Sequence, residues 1–257
     1  MKAVHRVLDA SVFDAGASEQ CALAVMTKAP RAGQVKTRLV PPLTPDEAAQ
    51  LNICFLRDTT AAIAEASGEI ARGIAVYTPV GVEAAYIDIL PLNFELVPQR
   101  GDKFGERLAC AAEDLSHIGF QSICLIDSDS PTVSAEVYVE STRLLSIPGD
   151  RIVLGPADDG GYYLIGIKQN HYRLFEGIDW STERVLDQTM EHATELDLPV
   201  ELLPTFYDVD DGATLRRLCT DLLDKKSTLA SDIAPETRRF LREIIQREGR
   251  DRIWPEL

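Results

Sequence analysis

Short apolar segments alternate along the chain with longer stretches in which apolar residues recur at helical spacing. Residues 21–26 form the first apolar run, which stops at a loop containing Pro30 and Gly33. Short runs bounded by turn residues predict buried strands. Further runs of this kind occupy residues 73–78, 94–97, 122–126, 152–154 and 162–167.

Helical patterns lie between most of these runs. Thr44-Pro45-Asp46-Glu47 combines an N-cap residue, a proline at the first helical position and a capping-box glutamate, and predicts a helix start. Further helices are predicted at 106–117, at 134–147 behind a serine cap, after Ser181, after Asp211 and at 235–247, with a strand ending at 207–209. The alternation favours an α/β fold in which helices cover both faces of a mostly parallel sheet, and ligands then gather at the carboxyl ends of its strands.

The domain organisation follows from the same pattern. Residues 1–20 hold Lys2, His5 and Arg6 but no apolar run long enough for a secretory signal, so we expect a loose N-terminal leader. No internal repeat or Gly/Ser-rich linker interrupts the remainder, which predicts a single domain over residues 21–257.

Charge and cysteine content narrow the function. The 257 residues include 41 acidic and 26 basic side chains, a net charge of −15, which argues against a nucleic-acid polymer as partner. No apolar run is long enough to span a membrane. The five cysteines form no CxxC pair, and this favours the reducing cytoplasm over a disulfide or zinc framework.

Two acidic clusters follow predicted strands. Asp127 and Asp129 come directly after residues 122–126, and carboxylates in that position suit Mg²⁺ or Mn²⁺, which prefer oxygen ligands. Turn and helix-capping chemistry before the next helix explains them equally well. Asp208 and Asp210 could bring a second ligand to the same metal, although Asp211 is also explained as an N-cap.

A third cluster, Asp158-Asp159-Gly160-Gly161, joins two predicted strands. Its glycines would allow close backbone approach to a ligand, whereas a plain hairpin turn is the alternative.

The only concentrated basic stretch lies in the loop after the first strand. In a chain this acidic, its cations suggest a polyphosphate cradle, with a solvated loop as the alternative. The loop lacks the glycine spacing of a P-loop. The candidate phosphate-binding residues are Lys28, Arg31, Gly33, Lys36 and Arg38.

Several long motifs together resemble one family. They read M-T-K-A-P-R-A-G-Q-V-K-T-R-L, L-I-D-S-D-S-P, G-P-A-D-D-G-G-Y-Y-L-I-G, F-E-G-I-D-W-S-T and Y-D-V-D-D, in the family's order over roughly residues 21–220. The chain resembles the bacterial GT-A-like transferases known as arsenosugar-biosynthesis-type glycosyltransferases or radical-SAM/selenodomain-associated transferases. This resemblance implies the Rossmann-like, three-layer α/β/α GT-A fold of the nucleotide-diphospho-sugar transferase superfamily.

The resemblance also implies site roles. It places a nucleotide over the basic loop and metal ligation at Asp129, while Asp127 stands where relatives usually have glycine. Asp208 and Asp210 match a D-x-D near the end of the domain that would complete the metal site. The residues that would face the acceptor are Gly160, Gly161, Tyr162, Trp180, Ser181 and Thr182.

These expectations lead to a function. We expect glycosyl transfer from a nucleotide-diphosphate sugar to a small-molecule acceptor, with Mg²⁺ or Mn²⁺ on the diphosphate and Asp158 or Asp159 as base. Nucleotidyl transfer from an NTP to a phosphorylated metabolite, with release of pyrophosphate, is the alternative, since fold and metal suit both. A catalytically silent nucleotide-binding protein is a third reading. The oligomeric state is left open, with a homodimer as one option.

Overall fold

A computed structural model describes residues 5–255 of the chain. Seven strands form one sheet in the order β3-β2-β1-β4-β6-β5-β7. The strands are β1 (Cys21–Lys28), β2 (Ala71–Thr78), β3 (Glu95–Pro98), β4 (Ser122–Ile126), β5 (Ile152–Pro156), β6 (Tyr162–Ile167) and β7 (Val200–Leu202). The α-helices are α1 (Pro45–Ala66), α2 (Phe104–Ile118), α3 (Ala135–Ser146), α4 (Val185–Glu195), α5 (Gly212–Leu223) and α6 (Pro235–Glu248).

The sheet is mostly parallel, as predicted. Strand β1 pairs in parallel with β2 and β4, β2 with β3, and β5 with β7. Only β6 runs antiparallel, between β4 and β5. The β5–β6 connection is therefore a hairpin, which was the alternative reading of the Asp158–Gly161 segment.

Helices cover both faces of the sheet, which confirms the three-layer arrangement. One apolar cluster joins α2 and α4 to one face, and a second joins α1 and α3 to the other. A third cluster packs α5 and α6 against α1. Buried strands such as Ala22–Val25 are apolar on both sides because both faces are covered.

Local chemistry sets the helix starts that the sequence predicted. The hydroxyl of Thr44 accepts a hydrogen bond from the Glu47 amide, and the Glu47 carboxylate accepts one from the Thr44 amide. The Asp211 carboxylate likewise caps α5 by accepting from the amides of Ala213 and Thr214. Both caps satisfy amides that have no partner inside the helix.

The strand expected to end at residues 207–209 is shorter than predicted. Strand β7 ends at Leu202, and Pro204, which has no N–H to donate, lies two residues further on. Beyond β7, the Leu203 amide still donates to the Leu154 carbonyl oxygen, and Phe206 forms an isolated bridge with Ala157. Residues 207–211 therefore form a loop.

A loose leader was expected over residues 1–20. Residues 1–4 lie outside the described residues. The structure describes residues 5–20 of this segment, and they pack against the domain. Leu8 is 4% exposed, and its amide donates to the Leu96 carbonyl at 2.8 Å. Asp14 forms an ion pair with Arg72 at 3.1 Å. The segment covers the edge strand β3, and such protection limits unwanted strand pairing.

Two further features are the hydropathy of the helices and the state of the cysteines. No helix among residues 5–255 is long and apolar enough to cross a membrane. All five cysteines are free, and Cys110 is the one that is not fully buried.

Replacing Leu8 with alanine tests whether the N-terminal segment belongs to the folded core. Truncating a buried leucine leaves a cavity, so the free energy of unfolding should fall by about 2–3 kcal/mol in urea titrations followed by circular dichroism. Val12→Ala, at a side chain that is 58% exposed, should change it by less than about 0.5 kcal/mol. Equal stability of Leu8→Ala and the parent protein would show that the segment is a dispensable leader.

Candidate active site

Two acidic loops meet beyond the carboxyl edge of the sheet. One follows β4 and holds Asp127 and Asp129, and the other precedes α5 and holds Asp208 and Asp210. The Val209 amide donates a hydrogen bond to the Asp129 carbonyl at 3.0 Å, so the loops are joined directly. The structure thus brings together the two clusters that the sequence analysis proposed as metal ligands.

The ammonium group of Lys36 lies between these loops. Its Nζ is 2.9 Å from Asp129 Oδ2, 2.9 Å from Asp210 Oδ1 and 2.8 Å from the Val209 carbonyl oxygen. The Lys36 side chain is only 5% exposed. Burial opposes the charged form, but the two carboxylates outweigh it and raise the pKa of Lys36. Lys36 is therefore a buried cation shared by two of the predicted metal ligands.

The backbone at Lys36 is held in an unusual conformation. Its φ is 48°, in the left-handed region that residues with a side chain adopt infrequently. Ser181, another predicted site residue, has φ 65°. Outliers of this kind persist only where surrounding contacts enforce them, and they cluster at functional sites.

Asp127 shapes its own loop. It accepts hydrogen bonds from the Ser130 hydroxyl at 2.8 Å and from the Asp129 amide at 3.4 Å. Burial, together with the nearby carboxylates of Asp129 and Asp208, raises the pKa of Asp127 well above its usual range. Asp127 thus serves the turn that was the alternative reading, and it also lines the larger of the two cavities described below.

Asp208 lies close to the other carboxylates. Burial, and then the charges of Asp210 and Asp159, raise its pKa to about 6. A hard cation prefers such oxygen donors and would relieve their mutual repulsion, so the donor set fits Mg²⁺ or Mn²⁺. Among residues 5–255, however, no three acidic, histidine or cysteine side chains form a ready-made metal site. A cation held here would also need oxygen ligands from phosphate or water.

Two cavities adjoin this cluster and share one wall. The larger has a volume of about 420 Å³ and the smaller about 260 Å³. The residues that line both are Arg38, Ser128, Asp129 and Asp210. A group held at this wall would be accessible from both sides.

The smaller cavity is basic. Lys28, Lys36 and Arg38, three of the five candidate phosphate-binding residues, line it together with Asp129 and Asp210. Asn52 of α1 also lines it; this side chain is 6% exposed and forms no hydrogen bond within the part of the chain that the structure describes. Arg31 is exposed and lines neither cavity. Gly33, with φ 72°, turns the same loop but lies outside both linings.

The larger cavity is acidic and aromatic. Five of the six predicted acceptor residues line it, namely Gly161, Tyr162, Trp180, Ser181 and Thr182. Phe104 packs edge-on against Trp180 with ring centroids 5.0 Å apart. The sixth, Gly160, does not line the larger cavity but packs against Glu183, which does. A Cβ at Gly160 would lie 2.2 Å from the Glu183 carbonyl oxygen, and the φ of Gly160 is 89°. Glycine is required at position 160 on both grounds.

The hairpin separates the two predicted bases. Asp159 lines the larger cavity, and its carboxylate accepts a hydrogen bond from the Gly161 amide at 2.9 Å. Asp158 does not line it; instead it forms an ion pair with Arg217 of α5. Arg217 also stacks on the Tyr207 ring at 3.8 Å. Asp159 is therefore the better placed of the two to meet a substrate.

Sequence reasoning missed several residues of the site. Asn52 and Arg217 sit on helices, where their patterns indicate only a helix face, and Phe104 is the first residue of α2. Glu183 directly follows the Trp180-Ser181-Thr182 motif and also lines the larger cavity. The one local sequence signal for Phe104 was its position next to Gly105.

Comparisons with known proteins place the chain among transferases. The model of a family described as "Uncharacterized protein conserved in bacteria (DUF2064)" matches residues 59–182. This segment contains the acidic loop after β4, the β5–β6 hairpin and Trp180, whereas the basic loop and Asp208 lie outside it. No curated protein matches the chain.

Solved structures extend the comparison. A protein from Desulfovibrio desulfuricans G20, provisionally named a nucleotide-diphospho-sugar transferase, is 28% identical over 90% of this chain and 98% of its own, with a TM-score of 0.73. A CMP:2-keto-3-deoxy-manno-octonic acid synthetase complexed with CTP is 9% identical over 77% of this chain and 96% of its own, with a TM-score of 0.51. The second likeness concerns the fold alone. Together they confirm the predicted fold and the resemblance to nucleotide-diphospho-sugar transferases.

Replacing Lys36 with methionine tests its role as the shared cation. Asp129 and Asp210 would lose their counter-charge, and because both are partly exposed we expect a moderate loss of about 1–3 kcal/mol in the free energy of unfolding. Lys28→Met is the matched control. The ammonium group of Lys28 donates to the Gln34 carbonyl oxygen and forms no ion pair within residues 5–255, so the change in stability should be less than about 0.5 kcal/mol. Equal, small effects in urea titrations would contradict the assignment.

Proposed function

We propose that this chain, a relative of the nucleotide-diphospho-sugar transferases by fold and sequence similarity, transfers a glycosyl group from a nucleotide-diphosphate sugar to a small-molecule acceptor with the aid of Mg²⁺ or Mn²⁺. The main support is the wall of Asp129 and Asp210 that separates a basic cavity from an acidic, aromatic one. Such a division suits a reaction in which a polyphosphate and an uncharged partner approach one point from two sides.

The basic cavity is the proposed donor site. Lys28 and Arg38 would bind the diphosphate oxygens, and the amide of Asn52 is available for a hydrogen bond to a phosphate or ribose oxygen. Lys36 would keep Asp129 and Asp210 in position beside the diphosphate. Arg31, exposed on the same loop, would reach a phosphate only if the loop closed over the donor.

The metal site is proposed at the wall. Asp129 is the leading ligand, with Asp208, Asp210 and Asp127 as the further candidates. A bound Mg²⁺ or Mn²⁺ would neutralise the diphosphate and stabilise the departing nucleotide. Burial, together with the charges of Asp210 and Asp159, raises the pKa of Asp208, and a cation bound beside it would favour its charged form.

The acceptor would enter from the larger cavity. Asp159, at its rim, is the proposed base that accepts the proton of the acceptor hydroxyl, provided that the hydroxyl comes within hydrogen-bond distance. Asp158 would act indirectly, by tying the hairpin to α5 through Arg217. We expect the reaction to take place in the cytoplasm, in keeping with the free cysteines.

A thermal-shift panel of nucleotide sugars and NTPs, each with and without Mn²⁺, tests the function. A ligand at a hundred times its Kd adds about 2.7 kcal/mol of stability, which raises the Tm by roughly 5–10 °C in a protein of this size. We expect a nucleotide-diphosphate sugar to give such a shift with Mn²⁺, and the shift to be lost in Asp129→Asn. Asp46→Asn, on the exposed first turn of α1, should retain it.

Product analysis separates the rival functions. Release of a nucleoside diphosphate from the stabilising sugar nucleotide would support glycosyl transfer. Stabilisation by NTPs alone, with pyrophosphate released, would replace it with nucleotidyl transfer, and tight binding without any turnover would indicate a silent nucleotide-binding protein. No response to any nucleotide would refute all three.

A further inference from the structure

Three aromatic rings form one end of the larger cavity. Trp180 lies between Phe104 and Tyr162, with centroid distances of 5.0 and 6.4 Å and interplanar angles of 68° and 80°. Phe104 remains 52% exposed although it belongs to a regular helix. A large exposed ring beside a cavity is typical of a binding surface, where a ligand covers it.

The backbone of α2 holds Trp180 in place. A Cβ at Gly105 would lie 2.4 Å from Trp180 Nε1 and 2.8 Å from the Phe175 carbonyl oxygen, so the indole ring rests directly on the first turn of the helix. Gly105 is buried although its neighbour Phe104 is exposed. The ring is therefore a fixed platform rather than a mobile surface side chain, and a rigid aromatic platform binds flat apolar groups with little loss of entropy.

Apolar and acidic side chains both line the larger cavity. Met26, Leu108, Ile165 and Val185 are among the residues that line it. The acidic residues that line it are Asp127, Asp129, Asp159, Glu183, Asp208 and Asp210.

The larger cavity contains little positive charge. Within residues 5–255, Arg38 is the only basic residue lining the larger cavity, and it stands in the wall shared with the basic cavity. Lys103 and Arg107 flank Phe104 along the chain but do not line the cavity. A phosphate in this cavity would share it with six carboxyl groups and, among the lining residues of 5–255, with Arg38 as the single cation, which is unfavourable.

We propose that the acceptor is an uncharged hydroxyl compound that carries a planar apolar group, which stacks in the Phe104–Tyr162–Trp180 cluster, and that it carries no phosphate. This inference rests on the proposed transferase function and names its acceptor class. The planar group packs against the fixed rings while the hydroxyl lies towards Asp159 and the shared wall.

Tryptophan fluorescence can report this binding directly. The chain has two tryptophans, and Trp254 lies elsewhere, donating a hydrogen bond from its Nε1 to Thr220 Oγ1 at 3.0 Å. In a Trp254→Phe background, Trp180 is the single reporter. Phenyl β-D-glucoside should change its emission and bind at least about tenfold more tightly than glucose or glucose 6-phosphate.

Variants of Phe104 show whether the rings are responsible. Phe104→Ala should weaken phenyl glucoside binding about three- to tenfold, whereas Phe104→Tyr should restore it, since the ring is half exposed and its loss need not unfold the helix. Leu92→Ala, at a side chain that is 80% exposed and lines neither cavity, should have no effect. Urea titrations of each variant confirm that the fold is intact.

The outcomes separate this inference from the proposed function. Preferred binding of glucose 6-phosphate, or no response of Trp180 to phenyl glucoside while a nucleotide sugar still stabilises the protein with Mn²⁺, would overturn the inference and leave the transferase intact. Quenching of Trp180 by nucleoside alone would also overturn it, by placing the base in the aromatic cluster. Loss of all nucleotide binding would refute the proposed function itself.

Discussion

The ammonium group of Lys36 is the interaction on which the geometry of this site depends. It joins its own loop, which follows β1, to two others. It contacts Asp129 in the loop after β4, and Asp210 and the Val209 carbonyl oxygen in the loop before α5. Without a cation at this point, two carboxylates would face each other in a partly buried space, which is costly. The backbone of Lys36 adopts a left-handed conformation at this point in the loop. Both acidic members of the wall between the two cavities are paired with this lysine.

The proposed function requires an acidic chain to bind an anionic donor. The net charge of −15 repels polyphosphates at long range, but the loop after β1 places Lys28 and Arg38 in one small cavity. In the proposed function, phosphate recognition would therefore be local and would depend on short contacts. On the other side of the wall, acidic residues line the larger cavity, and their charge would disfavour binding of a second anion there.

Local pattern predicted much of this structure, whereas contacts between distant segments decided the rest. The Thr44–Glu47 capping box and the Asp211 cap were predictable because each is complete within four residues. The mostly parallel sheet followed from the alternation of short apolar runs with helical patterns. Leu8 could not be placed in the same way, because its burial depends on Leu96, far along the chain. For the same reason the pairing of Asp158 with Arg217 was hidden, and with it the difference between two adjacent aspartates.

The two transfer reactions make different demands on the shared wall, and its charge favours one of them. In nucleotidyl transfer to a phosphorylated metabolite, a second phosphate would have to approach Asp129 and Asp210 from the larger cavity, past Asp159 and Glu183. Each added negative charge there raises the electrostatic cost, and Arg38 is the only lining cation among residues 5–255 that could offset it. A hydroxyl acceptor brings no charge, and a nearby carboxylate can accept its proton as the new bond forms. The same carboxylates that would hinder a phosphate acceptor would thus assist the proposed glycosyl transfer.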